Sequence, residues 1–274
     1  MPIFGARHRP RKRFDLFTFV FAAAASSLLL FVLLPLVNTL AQTPLAALWD
    51  ALTDGQVLAS LALTFYAAAW ATALALLTGV PLAYLLARHE FAGKRWVEGI
   101  VNLPIVVPHT AAGIALLTVF GRHGFAGKAF GAFNVRFTDD VPGIVVGMLF
   151  VSLPFLVNAA REAFAQIDPE LEGVAQTMGA SRWQAFRYVT LPLAWRGIIA
   201  GAVMMWGRGI SEFGAVVILA YHPRIIPVLT YERFAGFGLA AAQPVAVILI
   251  VASLGVFVLL QALLIPKTES TLGE

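Results

Sequence analysis

The chain has 274 residues, of which 59% are hydrophobic and only 12% are charged; a soluble domain is about 25% charged, so a soluble globular protein is excluded. It contains no cysteine, which excludes a disulfide scaffold, thiolate metal sites and a cysteine nucleophile. The formal charge of +4 is more typical of basic loops on one side of a membrane than of nucleic-acid binding.

The chain begins with a basic tail, residues 1–15, and continues into six predicted membrane spans. The first apolar run, 16–37, is too long for the core of a cleaved signal peptide, which holds about 7–15 residues. Further spans are predicted at 57–87, 101–120, 141–160, 197–221 and 239–265, before a short tail at 266–274. The sequence therefore predicts an all-α, polytopic membrane protein with a six-helix domain over residues 16–265.

The distribution of basic residues predicts the orientation of the spans. Lysine and arginine concentrate in the first tail, in the loop 88–95 and after the fourth span, whereas residues 41–56 contain neither. Cytoplasmic segments of membrane proteins carry this excess of positive charge. Both termini are therefore predicted to be cytoplasmic, in a multi-pass protein of the cytoplasmic membrane, and residues 222–238 are predicted to form an outer loop.

The third span contains the sequence LPIVVPHTAAG, residues 103–113, which includes two prolines. Pro104 and Pro108 each remove a backbone donor and are predicted to kink or break the helix. A bilayer tolerates such a break where protein or water satisfies the freed carbonyl groups. His109 and Thr110 follow the break and are candidates to donate hydrogen bonds to an anion, the alternative being packed polar side chains. Together with Pro104 and Pro108, they are candidates for the translocation pathway or gate.

The segment 168–192, between the fourth and fifth spans, is the longest polar segment that has a helical pattern. Asp168, Pro169 and Glu170 form a strong helix start, and Gly179 is suited to end that helix in a left-handed conformation. Ser181 is predicted to cap a second helix, which Pro192 would end. An apolar stripe runs along the first helix at Leu171, Val174, Ala175 and Met178. This hairpin either lies on the membrane surface or docks onto a soluble partner.

The spacing of Glu172, Ala175 and Gly179, followed by the Leu191-Pro192 pair, resembles the cytoplasmic EAA loop of ABC importer permeases. The usual glutamate position of that loop is Gly173 here, and the acid lies one place earlier. In that family the loop is a coupling helix that docks onto a separate ATPase subunit. The resemblance implies that the ATPase-coupling residues are Glu172, Ala175, Gly179, Ala180 and Ser181.

Two further stretches resemble molybdate and tungstate permeases of the same family. They are ISEFGAVVILAYHPRIIPVLTYERF, residues 210–234, and LPIVVPHTAAGIAL, residues 103–116. The resemblance covers most of the chain from the second span to the sixth. It implies a homodimer of six-helix subunits, a dimer of ATPase subunits in the cytoplasm, and an extracytoplasmic binding protein that delivers the oxyanion.

The fifth span contains two charged residues, Arg208 and Glu212, four positions apart. This spacing places them on one helix face, where they can pair. Ionisable groups within a membrane usually face protein or a water path and are functional candidates. Arg208, Glu212 and the neighbouring Ser211 are therefore candidates for the translocation pathway or gate, and a purely structural ion pair is the alternative.

Several enzyme motifs are missing from the sequence. The Gly-Lys pairs at 93–94 and 127–128 are not followed by Ser or Thr, so no phosphate-binding loop is present. The HExxH and GxSxG patterns are absent as well. We therefore predict no catalytic residue, no metal site and no cofactor, and the energy for transport must come from another chain.

These patterns together predict the permease subunit of an ATP-driven importer of molybdate or tungstate that works by alternating access. A sulfate- or thiosulfate-type permease remains as an alternative within the same class. A non-transporting membrane scaffold and a membrane enzyme are the alternatives from other classes.

Overall fold

The computed structural model describes residues 15–264, which form helices joined by short loops and contain no β-strand. The described residues include a π-helical turn, Phe186–Thr190. The α-helices are α1 (Leu16–Gln42), α2 (Leu45–Thr53), α3 (Gly55–Arg88), α4 (Lys94–Val106), α5 (His109–Phe120), α6 (Phe125–Gly131), α7 (Val141–Ala165), α8 (Glu170–Thr177), α9 (Arg182–Ala185), α10 (Leu191–Ile210), α11 (Gly214–Leu219), α12 (Ile226–Phe237) and α13 (Leu239–Leu264).

The described helices include five that are long and apolar enough to cross a membrane. They are α1, α3, α7, α13 and the continuous helix Arg182–Ile210, which joins α9, the π-turn and α10. The pair α4 and α5 meets the same criteria as one span bent by 116°. The all-helical, polytopic architecture is thus confirmed. The predicted tails at 1–15 and 266–274 lie outside the described residues, apart from Asp15.

The chain divides into two compact units, one containing α1 and the other beginning at Ala46. The core of the second unit forms where α3, α7 and α10 pack together. Lipid supplies no hydrophobic force that would bring membrane helices together, so their association depends on close van der Waals packing. Small residues allow this close packing. A Cβ atom placed on Gly79 of α3 would lie 3.0 Å from Val157 of α7, so the backbones of these helices approach closely there.

The contact between α7 and α10 depends on two glycines, Gly197 and Gly201, one turn apart. A Cβ atom on Gly197 would lie 2.4 Å from the Ala163 Cβ, and one on Gly201 would lie 2.7 Å from the Ala159 Cβ. Both distances are shorter than van der Waals contact. The pattern is the small-xxx-small arrangement of closely packed membrane helices.

We expect the substitution Gly201→Leu to destabilise the protein by about 1–3 kcal/mol, because overpacking forces helices apart. Thermal unfolding of the purified protein in detergent measures the effect. Gly207→Leu is the matched control, since a Cβ atom at Gly207 of the same helix meets nothing within 4 Å. Equal unfolding temperatures for the two variants would show that the α7–α10 contact does not depend on glycine.

Three predicted boundaries are wrong. The fifth span, predicted at 197–221, is the helix Arg182–Ile210, so Glu212 lies beyond the end of that helix. Pro192 does not end the second helix of the 168–192 segment, because the helix runs unbroken from Arg182 to Ile210. Proline cannot donate to the carbonyl four residues earlier, which here belongs to Tyr188 in the π-turn, where the α-helical hydrogen-bond register is already shifted. The outer loop predicted at 222–238 contains α12, whose Ile226 and Leu229 are buried in a cluster with Val245 of α13.

Candidate functional site

Two membrane helices of the second unit are broken, and the breaks lie against each other. One break separates α4 from α5, and the other separates α10 from α11. A Cβ atom on Gly214 would lie 2.7 Å from the His109 Cβ, and one on Gly113 would lie 2.9 Å from the Ala215 carbonyl oxygen. Only glycine permits such an approach, so these positions set the geometry of the contact between the breaks.

Four predicted polar residues meet at this contact. The Arg208 Nη2 atom lies 3.1 Å from Glu212 Oε2 and 3.0 Å from the nearest ring nitrogens of His109. The His109 Nδ1 atom also lies 3.0 Å from Glu212 Oε2. Arg208 Nη1 donates to Ser211 Oγ at 3.2 Å. The structure therefore joins the Arg208–Glu212 pair of one broken helix to His109 of the other.

The members of this cluster differ in their exposure. The Glu212 side chain is fully buried, whereas the side chains of Arg208 and His109 are 23% and 37% exposed. Glu212 Oε1 also accepts a hydrogen bond from the Ala215 backbone at 2.8 Å. A buried carboxylate needs a paired cation and hydrogen bonds, and both are present. The exposed part of the cluster is therefore formed by Arg208 and His109, and the carboxylate lies behind them.

The cluster suits an anion better than a metal ion. The guanidinium of Arg208 lies against both possible metal ligands, His109 and Glu212. Among residues 15–264, no group of three or more His, Cys, Asp or Glu side chains is placed to hold a metal ion.

The remaining candidates of the third span lie around the break. Pro108 occupies the cap position immediately before α5, and Thr110 is exposed next to His109. Pro104 is buried inside α4 and does not break it. The break therefore follows from Pro108 alone, whose missing N–H and steric effect on Val107 favour extended backbone there.

Sequence reasoning missed two polar pairs that join α4 to α7. Asn158 Nδ2 donates to Asn102 Oδ1 at 2.7 Å, and Arg161 Nη1 donates to Glu98 Oε1 at 2.7 Å. The spacing of Glu98 and Asn102 by four residues, and of Asn158 and Arg161 by three, was the available signal. These pairs extend the polar contacts from the broken third span towards the start of α4.

The 168–192 segment contains the predicted helix, glycine turn and second helix start. Gly179 follows α8 with a φ of +96°, in the left-handed region that favours glycine. Ser181 and Gln184 then form a capping box: the Gln184 N–H donates to Ser181 Oγ, and the Ser181 N–H donates to Gln184 Oε1 at 2.8 Å. These local features hold the turn in one conformation.

Glu172 of α8 points inward rather than towards a partner surface. Its carboxylate accepts hydrogen bonds from Thr190 Oγ1 at 2.7 Å, Tyr84 Oη at 2.8 Å and Arg88 Nε at 2.9 Å. Burial by itself would raise the pKa of this carboxyl, but the hydrogen bonds from Thr190 and Tyr84 and the charge of Arg88 lower it below its usual range. Glu172 therefore stays ionised at neutral pH and ties α8 to α3 and to the π-turn.

The opposite face of α8 is apolar and exposed. The exposed fractions of Leu171, Val174 and Met178 are 45%, 57% and 84%. Ala175 and Ala180 are partly buried beside them. Apolar side chains that are exposed together on a rigid helix are typical of a docking surface.

Comparison with known proteins places the chain among transport proteins. The family described as "Binding-protein-dependent transport system inner membrane component" matches residues 79–269. The "Molybdate/tungstate transport system permease protein WtpB" of Thermococcus kodakarensis is 42% identical over 251 residues, which cover 91% of this chain and 96% of that protein. The "Sulfate transport system permease protein CysT" of Salmonella typhimurium is 33% identical, with 83% of each chain covered.

Solved structures share the fold at lower identity. A bacterial ABC transporter that imports the acidic polysaccharide alginate matches with a TM-score of 0.68 and 18% identity, covering 92% of this chain and 96% of that one. A bacterial alginate ABC transporter in complex with its pentasaccharide-bound periplasmic protein matches with a TM-score of 0.65 and 19% identity, covering 89% and 92%.

Proposed function

The chain belongs to the family of binding-protein-dependent transport system inner membrane components, and from that premise we propose that it is the permease subunit of an ATP-driven importer of molybdate or tungstate. The observation that carries the choice of substrate is the 42% identity to a molybdate/tungstate permease over 91% of the chain. The sulfate permeases match less closely, at 33% identity. A tetrahedral oxyanion is the shared chemistry of both groups.

The proposed topology has six spans with both termini in the cytoplasm. The five long helices and the bent pair α4–α5 supply the spans of the domain 16–265. The 168–192 segment then lies in the cytoplasm between the fourth and fifth spans, as a coupling helix. The excess of basic residues on this side supports the orientation.

The contact between the two broken helices is the proposed passage for the oxyanion. Arg208 supplies a partly exposed donor there beside the partly exposed ring of His109, with Pro108, Thr110 and Ser211 around them. The buried Glu212 neutralises Arg208 and keeps the positive potential modest. A transport path needs weak, transient binding because the ion must leave again. The partial neutralisation of Arg208 by Glu212 therefore suits the passage of an anion better than its tight binding.

Two helices, α8 and the helix that begins at Arg182, connect the proposed ATPase docking surface with the proposed passage. The exposed apolar face of α8 is the proposed docking surface, with Ala175, Gly179, Ala180 and Ser181 at or beside it. From Arg182 the chain is one continuous helix of 29 residues to Ile210, about 43 Å long at 1.5 Å per residue. A displacement of the chain next to Ser181 would therefore move Arg208, because the two positions are joined by one continuous helix. The hydrogen bonds of Glu172 to α3 would displace α3 as well.

The proposed assembly is a homodimer of this chain with two ATPase subunits and an extracytoplasmic binding protein. Passage through a fold of this kind involves no covalent chemistry, so no residue of the chain is proposed as catalytic and no cofactor or metal is required. ATP hydrolysis belongs to the separate ATPase subunits. Their closing and opening would switch the broken helices between outward and inward access.

The double substitution Val174→Glu/Met178→Glu tests the docking surface. Both side chains are more than half exposed, so the variant is expected to fold, while burial of two new carboxylates at an apolar interface is unfavourable. We expect the amount of ATPase subunit that co-purifies from the membrane to fall at least about tenfold, a change of about 1.4 kcal/mol.

Phe133→Glu is the matched control for that experiment. Phe133 is 81% exposed and lies in the loop that the proposed topology places outside the cell. Undiminished ATPase binding by the α8 variant, or an equal loss in the Phe133 variant, would contradict docking through α8.

A further inference from the structure

A cavity of about 600 Å³ lies between the end of α3 and the start of the helix at Arg182. It is separate from the proposed passage and from the exposed apolar face of α8. The side chains that decide its chemistry are Tyr84, Arg88, His89, Arg182, Trp183 and Phe186. Basic and aromatic groups thus line one space at the end of a membrane span.

The basic side chains of this cavity are only partly neutralised. Arg88 is 93% buried, as its side chain is 7% exposed; its Nε donates to Glu172 and its Nη1 donates to the Ile167 carbonyl, but its Nη2 has no hydrogen-bond partner. Arg182 and His89 take part in none of the ion pairs among residues 15–264. Glu172 is the one acidic residue of the cavity lining, so positive charge is in excess.

The rest of the lining is apolar and open to the surface. Leu85 and Trp183 are 48% and 68% exposed, and Pro81 lies beside them. A small inorganic anion would use the cations and leave these apolar side chains in contact with water. A ligand with an anionic head and a hydrocarbon body satisfies both parts of the lining.

We propose that this cavity binds an anionic phospholipid, with its phosphate between Arg182 and His89 and an acyl chain over Leu85 and Trp183. Basic pockets between spans on the cytoplasmic side are suited to such headgroups, and tryptophan is favoured at the membrane interface. The inference rests on the proposed function in one respect, which is that the proposed topology places the cavity on the cytoplasmic side of the membrane. A lipid bound there contacts both α3 and the helix Arg182–Ile210, and it thereby stabilises the position of the 168–192 segment.

The test measures lipid retention by the full chain in nanodiscs that contain phosphatidylglycerol and phosphatidylcholine. After transfer to detergent, native mass spectrometry counts the phospholipids that stay bound. We expect wild-type protein to retain phosphatidylglycerol in preference to phosphatidylcholine. In Arg182→Gln, affinity should fall about fivefold, since one basic residue near anionic lipid contributes about 1 kcal/mol.

Arg187→Gln is the matched control, because it removes the same charge five residues further along the same helix and Arg187 does not line the cavity. Equal retention of phosphatidylglycerol by Arg182→Gln and Arg187→Gln would overturn the assignment. Thermal protection of wild-type protein in phosphatidylcholine by inorganic phosphate, equal to that by phosphatidylglycerol and absent in Arg182→Gln, would overturn the lipid in favour of a free anion. Retention is read without ATPase or transport, so a failure of the proposed function does not alter it.

Discussion

Replacing Arg208 with alanine is expected to reduce oxyanion uptake by about tenfold to a hundredfold while the ATPase subunits still co-purify. A hydrogen bond to a charged group contributes about 1.5–3 kcal/mol, and the variant removes the partly exposed guanidinium from the proposed passage. His109 remains within 3.0 Å of Glu212, so the buried carboxylate keeps one partner. Uptake into proteoliposomes, normalised to folded protein, measures the effect.

A double variant separates a role in the passage from a purely structural role. Arg208→Met/Glu212→Gln removes both charges of the buried pair, and such replacements are often neutral or stabilising. We expect this protein to unfold at about the wild-type temperature and still to transport poorly. Wild-type uptake by the double variant would show that Arg208 serves only to balance Glu212.

The substitution Glu172→Ala is expected to uncouple ATP hydrolysis from uptake without detaching the ATPase. The carboxylate is 14% exposed and joins Tyr84, Arg88 and Thr190 to α8. Removing one partner of a buried ion pair costs about 3–5 kcal/mol, and the lower end applies to this partly solvated pair. The released α8 should still present its apolar face, so ATP hydrolysis continues while transport falls.

Two comparisons sharpen that experiment. Arg88→Ala removes the other half of the pair, so we expect the same phenotype and no additional effect in the Glu172→Ala/Arg88→Ala double variant. Glu170→Ala is the control, because Glu170 is an exposed acid in the first turn of the same helix. If Glu172→Ala instead lost the ATPase, the side chain would belong to the docking surface and not to an internal anchor.

Local signals predicted most of the helices and turns. Long apolar runs predicted the spans, because a helix satisfies all of its backbone hydrogen bonds within the segment that crosses the bilayer. Gly179 and Ser181 predicted the turn in the 168–192 segment, since a left-handed residue and a capping box depend on a few neighbouring positions. The four-residue spacing of Arg208 and Glu212 also predicted their pairing, although Glu212 lies beyond the end of α10 and not on the same helix face.

Contacts between distant parts of the chain were not predictable in this way. His109 lies about a hundred positions before Arg208, and only the packing of two broken helices at Gly214 brings them together. Glu172 was predicted to be a coupling residue, and no local pattern indicates that its carboxylate turns towards Tyr84 and Arg88. Pro192 was predicted to end a helix, and this prediction failed because the π-turn that accommodates the proline has no sequence signal of its own.

The most direct test of the transport function is ATP-dependent uptake into proteoliposomes that contain this chain with its ATPase subunit and binding protein. Molybdate, tungstate and sulfate are supplied at equal concentrations, with a non-hydrolysing ATPase variant as the control. We expect ATP-dependent accumulation of molybdate or tungstate that exceeds that of sulfate. Preferred uptake of sulfate would contradict the proposed substrate, and no ATP-dependent uptake of any oxyanion would contradict the importer itself.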